Sequence, residues 1–317
     1  MIEMAFENRT PAILSLTMPF YPVKSSYDRR RLFPMDNPAL VEDYIAALRR
    51  EIQGSAQDYE EFGIQAVHIG GGIAGHAADD ALGLLMRDLR SWFRFNDDVQ
   101  ISMNVHPGMV SADTLQACQR GRVNWLCVDY MTANPFESEA MSRFLPPSAM
   151  DTSMIVLSQS MLNLSFHVLF GLPGQSENSF RNTLDKVIGY GAKEVVLHRL
   201  ELVPGTPFAE QDIVQYRCSR SPRLSLPDDD ACEQMKLEAD RYLTERGFSM
   251  SAPLCWSSEG TSSRFDVLDG RNCARIGFGL GAITRMDGIE AHNTLDMNVY
   301  LRHSDDPGRI TASVHMI

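Results

Sequence analysis

The chain reads as α/β, a partial (β/α)6 TIM-like barrel with a short C-terminal extension. Two observations predict this. Short apolar runs alternate with longer stretches whose apolar residues recur at helical spacing. Several of the apolar runs also end in glycine, proline or a polar residue, where a strand gives way to a loop. Strand–helix units in series build a parallel sheet with right-handed crossovers, and the C-terminal strand ends then share one functional rim.

The elements follow in order. Ile13–Met18 is a short apolar strand. Pro38 to Ile52 is a helix whose Leu40, Tyr44, Leu48 and Ile52 fall on one face. Gln65–Ile69 is the next strand and runs into Gly70, Gly71 and Gly72. Asp79–Phe93 is a helix with a Leu82, Leu85, Met86 and Leu89 stripe. Val99–Val105 is a strand stopped by Pro107; Ala112–Gln119 is a short helix, and Val123–Val128 a strand. Ser165–Phe170 is a strand ending in Gly171-Leu172-Pro173-Gly174-Gln175. Ser176 then caps a helix carrying Phe180, Leu184, Val187 and Ile188. Val195–Leu202 is the sixth strand. The barrel thus occupies 1–210. Residues 211–230, with three arginines, two prolines and three consecutive aspartates, read as a loop or flap. Residues 231–317 supply a helix and glycine-rich strands packed on the barrel.

Composition narrows the function. With 317 residues and 44% hydrophobic content, the chain can bury a large core. A net charge of −12 argues against nucleic acid as the main partner, since phosphate binding needs a basic face. No apolar run is long enough to span a membrane, and no secretory signal is visible. Cys118, Cys127, Cys218, Cys232, Cys255 and Cys273 are dispersed. They form no zinc or cluster motif and read as reduced thiols of a cytoplasmic protein. The expected partner is a small-molecule substrate, with neither nucleic acid nor membrane.

Several segments taken together resemble one family. Pro19-Phe20-Tyr21-Pro22-Val23-Lys24-Ser25-Ser26-Tyr27-Asp28 is similar to a PFCxxxCxxC loop. The other pieces are Tyr44, Leu48, Glu51 and Ile52; the triple glycine; Gly171 to Gln175; Leu200 with Pro204-Gly205-Thr206; and Gly277, Gly279, Gly281 and Ala282. From about Leu14 to Tyr300 the chain resembles the radical-SAM proteins related to oxygen-independent coproporphyrinogen III oxidase and its haem-chaperone cousins. The family's separate C-terminal helical domain is missing or reduced. Tyr21, Ser25 and Asp28 stand where the resemblance puts cluster cysteines. Iron–sulfur clusters need soft thiolate ligands, so no [4Fe–4S] cluster is expected.

The resemblance also implies a binding site for S-adenosyl-L-methionine (SAM). Gly70, Gly71 and Gly72 would lie against its methionine part, and Arg143 would pair its carboxylate. Asn104 and Met131 stand where family members place a Glu and a Gln, and His167 and His198 where they place an Asp and a Tyr. The candidate catalytic groups are Tyr21, Asp28, Asp129, His167 and His198. They sit in the former cluster loop or at strand ends, where barrel enzymes carry working groups. His106 joins them by position, and Glu201 is a further acid there. His68, inside its strand, reads as structural, His76 as exposed, and Lys24 with Arg29–Arg31 as a solvated face. No spacing marks a metal site.

Three functions remain open. The first is a SAM-dependent enzyme, a transferase or lyase, using polar chemistry on the sulfonium without a cluster. The second is a non-catalytic relative that binds haem or a porphyrin through His167 or His198, or serves as a partner subunit. The third is a radical enzyme with a cluster held elsewhere, which the dispersed cysteines disfavour.

Overall fold

The computed structural model describes residues 9–21, 32–70, 81–142, 147–206, 208–210, 225–258 and 260–317. Strand β1 (Thr10–Thr17) is followed by the two-residue pair β2 (Phe20–Tyr21) and β3 (Phe33–Pro34). Helix α1 (Pro38–Ser55) starts on Pro38, with the Asn37 side chain accepting from Leu40 N–H. Then come β4 (Phe62–Gly70), α2 (Ala81–Trp92), β5 (Arg94–Val105), α3 (Ala112–Gly121) and β6 (Trp125–Met131). Two helices unread in the sequence follow, α4 (Pro135–Ala140) and α5 (Pro147–Ser158). The signal for α4 was present: Asn134 caps it and Pro135 opens it. Next are β7 (Asn163–Phe170), α6 (Glu177–Gly189), capped by Ser176 as expected, and β8 (Glu194–Arg199). Strand β8 stops three residues before the expected Leu202, β6 runs three residues past the expected Val128, β5 begins five residues before the expected Val99, and α1 runs three residues past Ile52.

The extension begins with α7 (Asp229–Thr244), β9 (Phe248–Ala252) and β10 (Cys255–Ser258). It continues through α8 (Arg264–Gly270), β11 (Ala274–Phe278), β12 (Ile283–Met286) and β13 (Ile289–Asn293). Helices α9 (Met297–His303) and α10 (Pro307–Ile310) lead to β14 (Thr311–Met316). No described helix is long and apolar enough to cross a membrane.

The main sheet runs β14-β13-β12-β11-β1-β4-β5-β6-β7-β8-β10-β9. The six expected strands, β1 and β4 to β8, pair in parallel, and β11 adds a seventh parallel strand beside β1. Strands β9, β10 and β12 to β14 extend it in antiparallel fashion. The α/β class and the mostly parallel partial barrel are therefore as the sequence predicts.

Side chains alternate across each strand. Leu14, Leu16, Val67, Ile69, Ile101, Met103, Leu126, Val128, Phe166 and Val195 face the helices in one continuous core. The opposite face is polar: Ser15, His68, Ser102, Cys127, Ser165 and Glu194 point into the barrel. Helix α8 plugs the N-terminal end, with Phe265 packed on Ile13 and Ala66. The buried Glu194 carboxylate secures the plug, accepting from Ser165 Oγ at 3.0 Å, Ser257 Oγ at 3.2 Å and Ser263 N–H at 2.9 Å.

Helix α1 clamps the extension to the barrel. Tyr44 donates to Thr17 O at 2.6 Å and accepts from Leu280 N–H at 2.9 Å. Glu51 accepts from Gly279 N–H, Asn293 Nδ2 and Tyr300 Oη. The conformation is one glycine serves: Gly279 has φ +106°, and a Cβ there would lie 2.6 Å from Thr17 O.

Candidate active site at the barrel mouth

Asp129, His167 and His198 come from the C-terminal halves of β6, β7 and β8 and face the barrel interior. His198 Nε2 lies 3.2 Å from His167 Nδ1, with ring centroids 5.1 Å apart. Asp129 Oδ1 is 3.8 Å from the same His167 nitrogen. The nearby carboxylate favours a proton on Nδ1, which His167 then donates to His198 Nε2. His167 Nε2 is left as an electron-pair donor; it is buried and has no hydrogen-bond partner. The structure thus joins three of the residues that the sequence marked.

Beneath them sits His68, which the sequence assigned to a structural role. Its ring points into the barrel, 5.0 Å from the Phe265 ring, and its Nδ1 is 2.9 Å from Ser102 Oγ. Burial pushes its pKa down to about 4; His167 and Arg275 push the same way, while Asp266 and Asp129 oppose them. His68 is therefore neutral near pH 7. Strand parity was the available signal: residues 68 and 70 share a face, and Gly70 was already marked.

Gly70 ends β4 on that interior face. A Cβ there would meet His68 Nε2 at 3.6 Å and Leu16 O at 3.7 Å, ordinary contacts. Among the described residues, nothing crowds a Cβ at Gly70. Register places Asn104 beside Gly70, one step past the Ile69–Met103 pair. Asn104 Oδ1 is buried without a hydrogen-bond partner.

Other marked residues lie apart or outside. Tyr21 is buried at the end of β2. Met131 adopts φ 66° after a register shift in β6 and turns toward Met141, Met150 and Leu172. His106 is buried just beyond β5. Gly71, Gly72, Asp28, Ser25, His76 and Arg143 lie outside the described residues, as do Lys24 and Arg29–Arg31. Glu201 follows β8 and lines a separate cleft with Arg199, Asp229 and Cys232.

No family model matches the sequence. Curated relatives do. The haem chaperone HemW of Escherichia coli K12 is 23% identical over 242 residues, 76% of this chain and 61% of that protein. HemW of Bacillus subtilis is 21% identical over 276 residues, covering 86% of this chain and 70% of its own length. The oxygen-independent coproporphyrinogen III oxidase of Escherichia coli K12 is 24% identical over 285 residues, 84% of this chain and 60% of the oxidase. The solved structure of that coproporphyrinogen III oxidase, HemN, described as a radical SAM enzyme, superposes with a TM-score of 0.81 at 18% identity. It covers 99% of this chain and 73% of that one. This chain is a homologue of HemW and HemN. It has the HemN fold and spans about three-fifths of the length of the first curated relatives it matches.

The donor set of this HemN-like chain departs from what a [4Fe–4S] cluster requires. The loop that resembles the cluster motif carries Tyr21, Ser25 and Asp28, whose side chains are not thiolates. The described cysteines are scattered over α3, β6, α7, β10 and the residue before β11. Burial raises the Cys118 and Cys255 thiols to about 12, away from the thiolate form.

Proposed function

We propose that this HemW- and HemN-related chain binds a tetrapyrrole, haem or a porphyrin, at the barrel mouth and does so without a cluster. One observation carries the reading. The Asp129–His167–His198 chain fixes the His167 proton on Nδ1 and leaves Nε2 as a buried donor without a partner. A carboxylate behind an imidazole is how proteins orient and strengthen a metal-ligating histidine. His198, exposed at the rim, is the second imidazole within reach. Bound haem would supply an iron centre. The chain's own part is to hold His167 in one tautomer and to bury the ligating nitrogen.

Haemin titration of the purified protein, followed by absorbance, tests this. A saturable one-to-one Soret shift is expected. It should be lost or displaced in His167→Ala and altered in His198→Ala. A featureless, non-saturating response unaffected by both variants would overturn the reading.

A second reading has its own support. A Cβ at Gly70 would meet its neighbours only at ordinary contact distance, and Asn104 beside it has an unsatisfied carbonyl oxygen. Both suit a SAM-like ligand, whose sulfonium carbons are already activated toward nucleophiles. Asp129 and His167 would then hold or accept a proton. Calorimetric titration of SAM, with mass spectrometry of the cell contents, separates the outcomes. Release of methylthioadenosine or S-adenosylhomocysteine would establish polar SAM chemistry. Absence of binding would remove it.

A further inference from the structure

Helices α2 and α3 meet through two glycines. A Cβ at Gly121 would come within 2.9 Å of Leu82 Cγ, and one at Gly83 would stand 3.8 Å from Arg120 Cβ. This close approach gathers four arginines. Arg87 and Arg90 share a face of α2 with Gly83, beside the buried Leu82, Leu85 and Leu89 stripe. Arg120 stands in the last turn of α3, and Arg122 caps that helix. With Gly83 and Leu84 they line a cleft of about 410 Å³. Pockets for small ligands run to roughly 300–1,000 Å³.

Helix dipoles draw cations to C-terminal turns, which accounts for Arg90 and Arg120, one in each last turn. It leaves Arg87, a turn earlier, and Arg122. Arg122 holds φ 55°, the left-handed conformation in which glycine ends a helix most easily, so arginine there bears strain that glycine would not. Arg90 lies over the Phe95 ring at 5.6 Å, and burial together with the nearby Arg122 charge holds its pKa down. Carboxylates are plentiful, with 41 Asp and Glu to 29 Lys and Arg, yet among the described residues none lines this cleft. Asp88, next to Arg87 in sequence, pairs with Arg49 instead.

A guanidinium fork takes two oxygens of a phosphate at once, and four forks around one cleft offer more donors than a single phosphate can use. A protein partner is the poorer fit, because interface centres are apolar and Leu84 is the one apolar side chain lining the cleft. We infer that the α2–α3 cleft binds a di- or triphosphate group, held by Arg87, Arg90 and Arg122. A nucleoside attached to that group would rest on Leu84. The cleft shares no residue with the barrel mouth, so haemin and SAM results leave this site untouched.

Calorimetric titration of the intact protein with sodium tripolyphosphate at physiological salt tests it. One-to-one micromolar binding is expected, weakening as salt rises. Orthophosphate should bind at least tenfold more weakly. ATP binding more tightly than tripolyphosphate would assign the nucleoside to the Leu84 wall, and ATP binding no more tightly would assign recognition to the phosphate chain alone. Arg87→Gln should weaken tripolyphosphate binding about tenfold, the loss of one charge-assisted hydrogen bond. Arg122→Gly relaxes the backbone, so its melting temperature should match or exceed that of wild type while affinity falls by a similar factor. Three results would each overturn the assignment: no binding of tripolyphosphate, equal affinity for orthophosphate, or full affinity in both variants.

Discussion

The Tyr300 hydroxyl donates to Glu51 Oε2 at 2.5 Å and so ties α9 to α1. Glu51 also takes Gly279 N–H at 2.8 Å and Asn293 Nδ2 at 2.6 Å. Despite these bonds, burial dominates and raises the Glu51 pKa from 4.5 to about 7. In the unfolded chain the carboxyl ionises at its ordinary value. Between the two values the folded state holds the proton more tightly, so its stabilising contribution is fully present below about pH 4.5. It is lost as pH rises through 7, a total of about 3 kcal/mol. Glu51→Gln removes this titration. Urea unfolding at pH 5 and pH 8 should show wild type losing more stability than the variant over that interval. Parallel losses would remove the assignment.

Gly70 and Gly277 should respond oppositely to alanine. At Gly277 a Cβ would stand 2.3 Å from Ile283 O and 2.7 Å from Ile283 C, backbone atoms that cannot step aside. Gly277→Ala should cost about 3 kcal/mol or prevent folding. At Gly70 the nearest atoms are at ordinary contact distance, so Gly70→Ala should change stability by less than about 1 kcal/mol. Its effect should fall on ligand binding, as weakened SAM binding in calorimetric titration. Thermal denaturation of both variants checks the contrast.

These two glycines show what the sequence could and could not display. Gly70 and Gly277 look alike as letters, and only the strand packed against Gly277 separates a packing glycine from one whose neighbours stand at ordinary contact distance. The strand order was legible because six apolar runs alternate with helical stripes. The meeting of Asp129, His167 and His198 was legible because each ends a successive parallel strand. The face that His68 takes was not legible, because an apolar neighbourhood on both sides hides which way a strand residue points. Glu51 and Glu194 carried no signal as buried anchors, since their partners lie 228 and 69 residues away along the chain. The loop 22–31 and Arg143 lie outside the described residues, so the resemblance alone speaks for them.

Glu194 should prove a structural anchor. Its carboxylate satisfies two serine hydroxyls and the Ser263 N–H at the start of α8. Glu194→Ala would remove the acceptor of Ser165 Oγ, Ser257 Oγ and Ser263 N–H, of which Ser257 keeps Ser251 Oγ at 2.8 Å, and should cost about 2–4 kcal/mol. Hydrogen exchange at Ser263 should accelerate as the plug loosens. An unchanged exchange rate with full stability would show that α8 is held by Phe265 packing instead.

Asp129 should tune the imidazole chain without holding it together. It lies 3.8 Å from His167 Nδ1, too far for a hydrogen bond but close enough to bias the proton to that nitrogen. Asp129→Asn keeps the volume and removes the charge. Stability should stay within about 1 kcal/mol of wild type, since the substitution keeps the volume and leaves the core packing in place. Haemin affinity should fall about tenfold, the low end for losing a carboxylate behind a ligating histidine. The reduction potential of the haemin complex should rise, because a less electron-rich imidazole stabilises ferric iron less. A merely structural residue would lower affinity with no change in potential. Spectroelectrochemical titration of wild type and Asp129→Asn therefore decides between tuning and packing, and an unchanged potential would sink the tuning role.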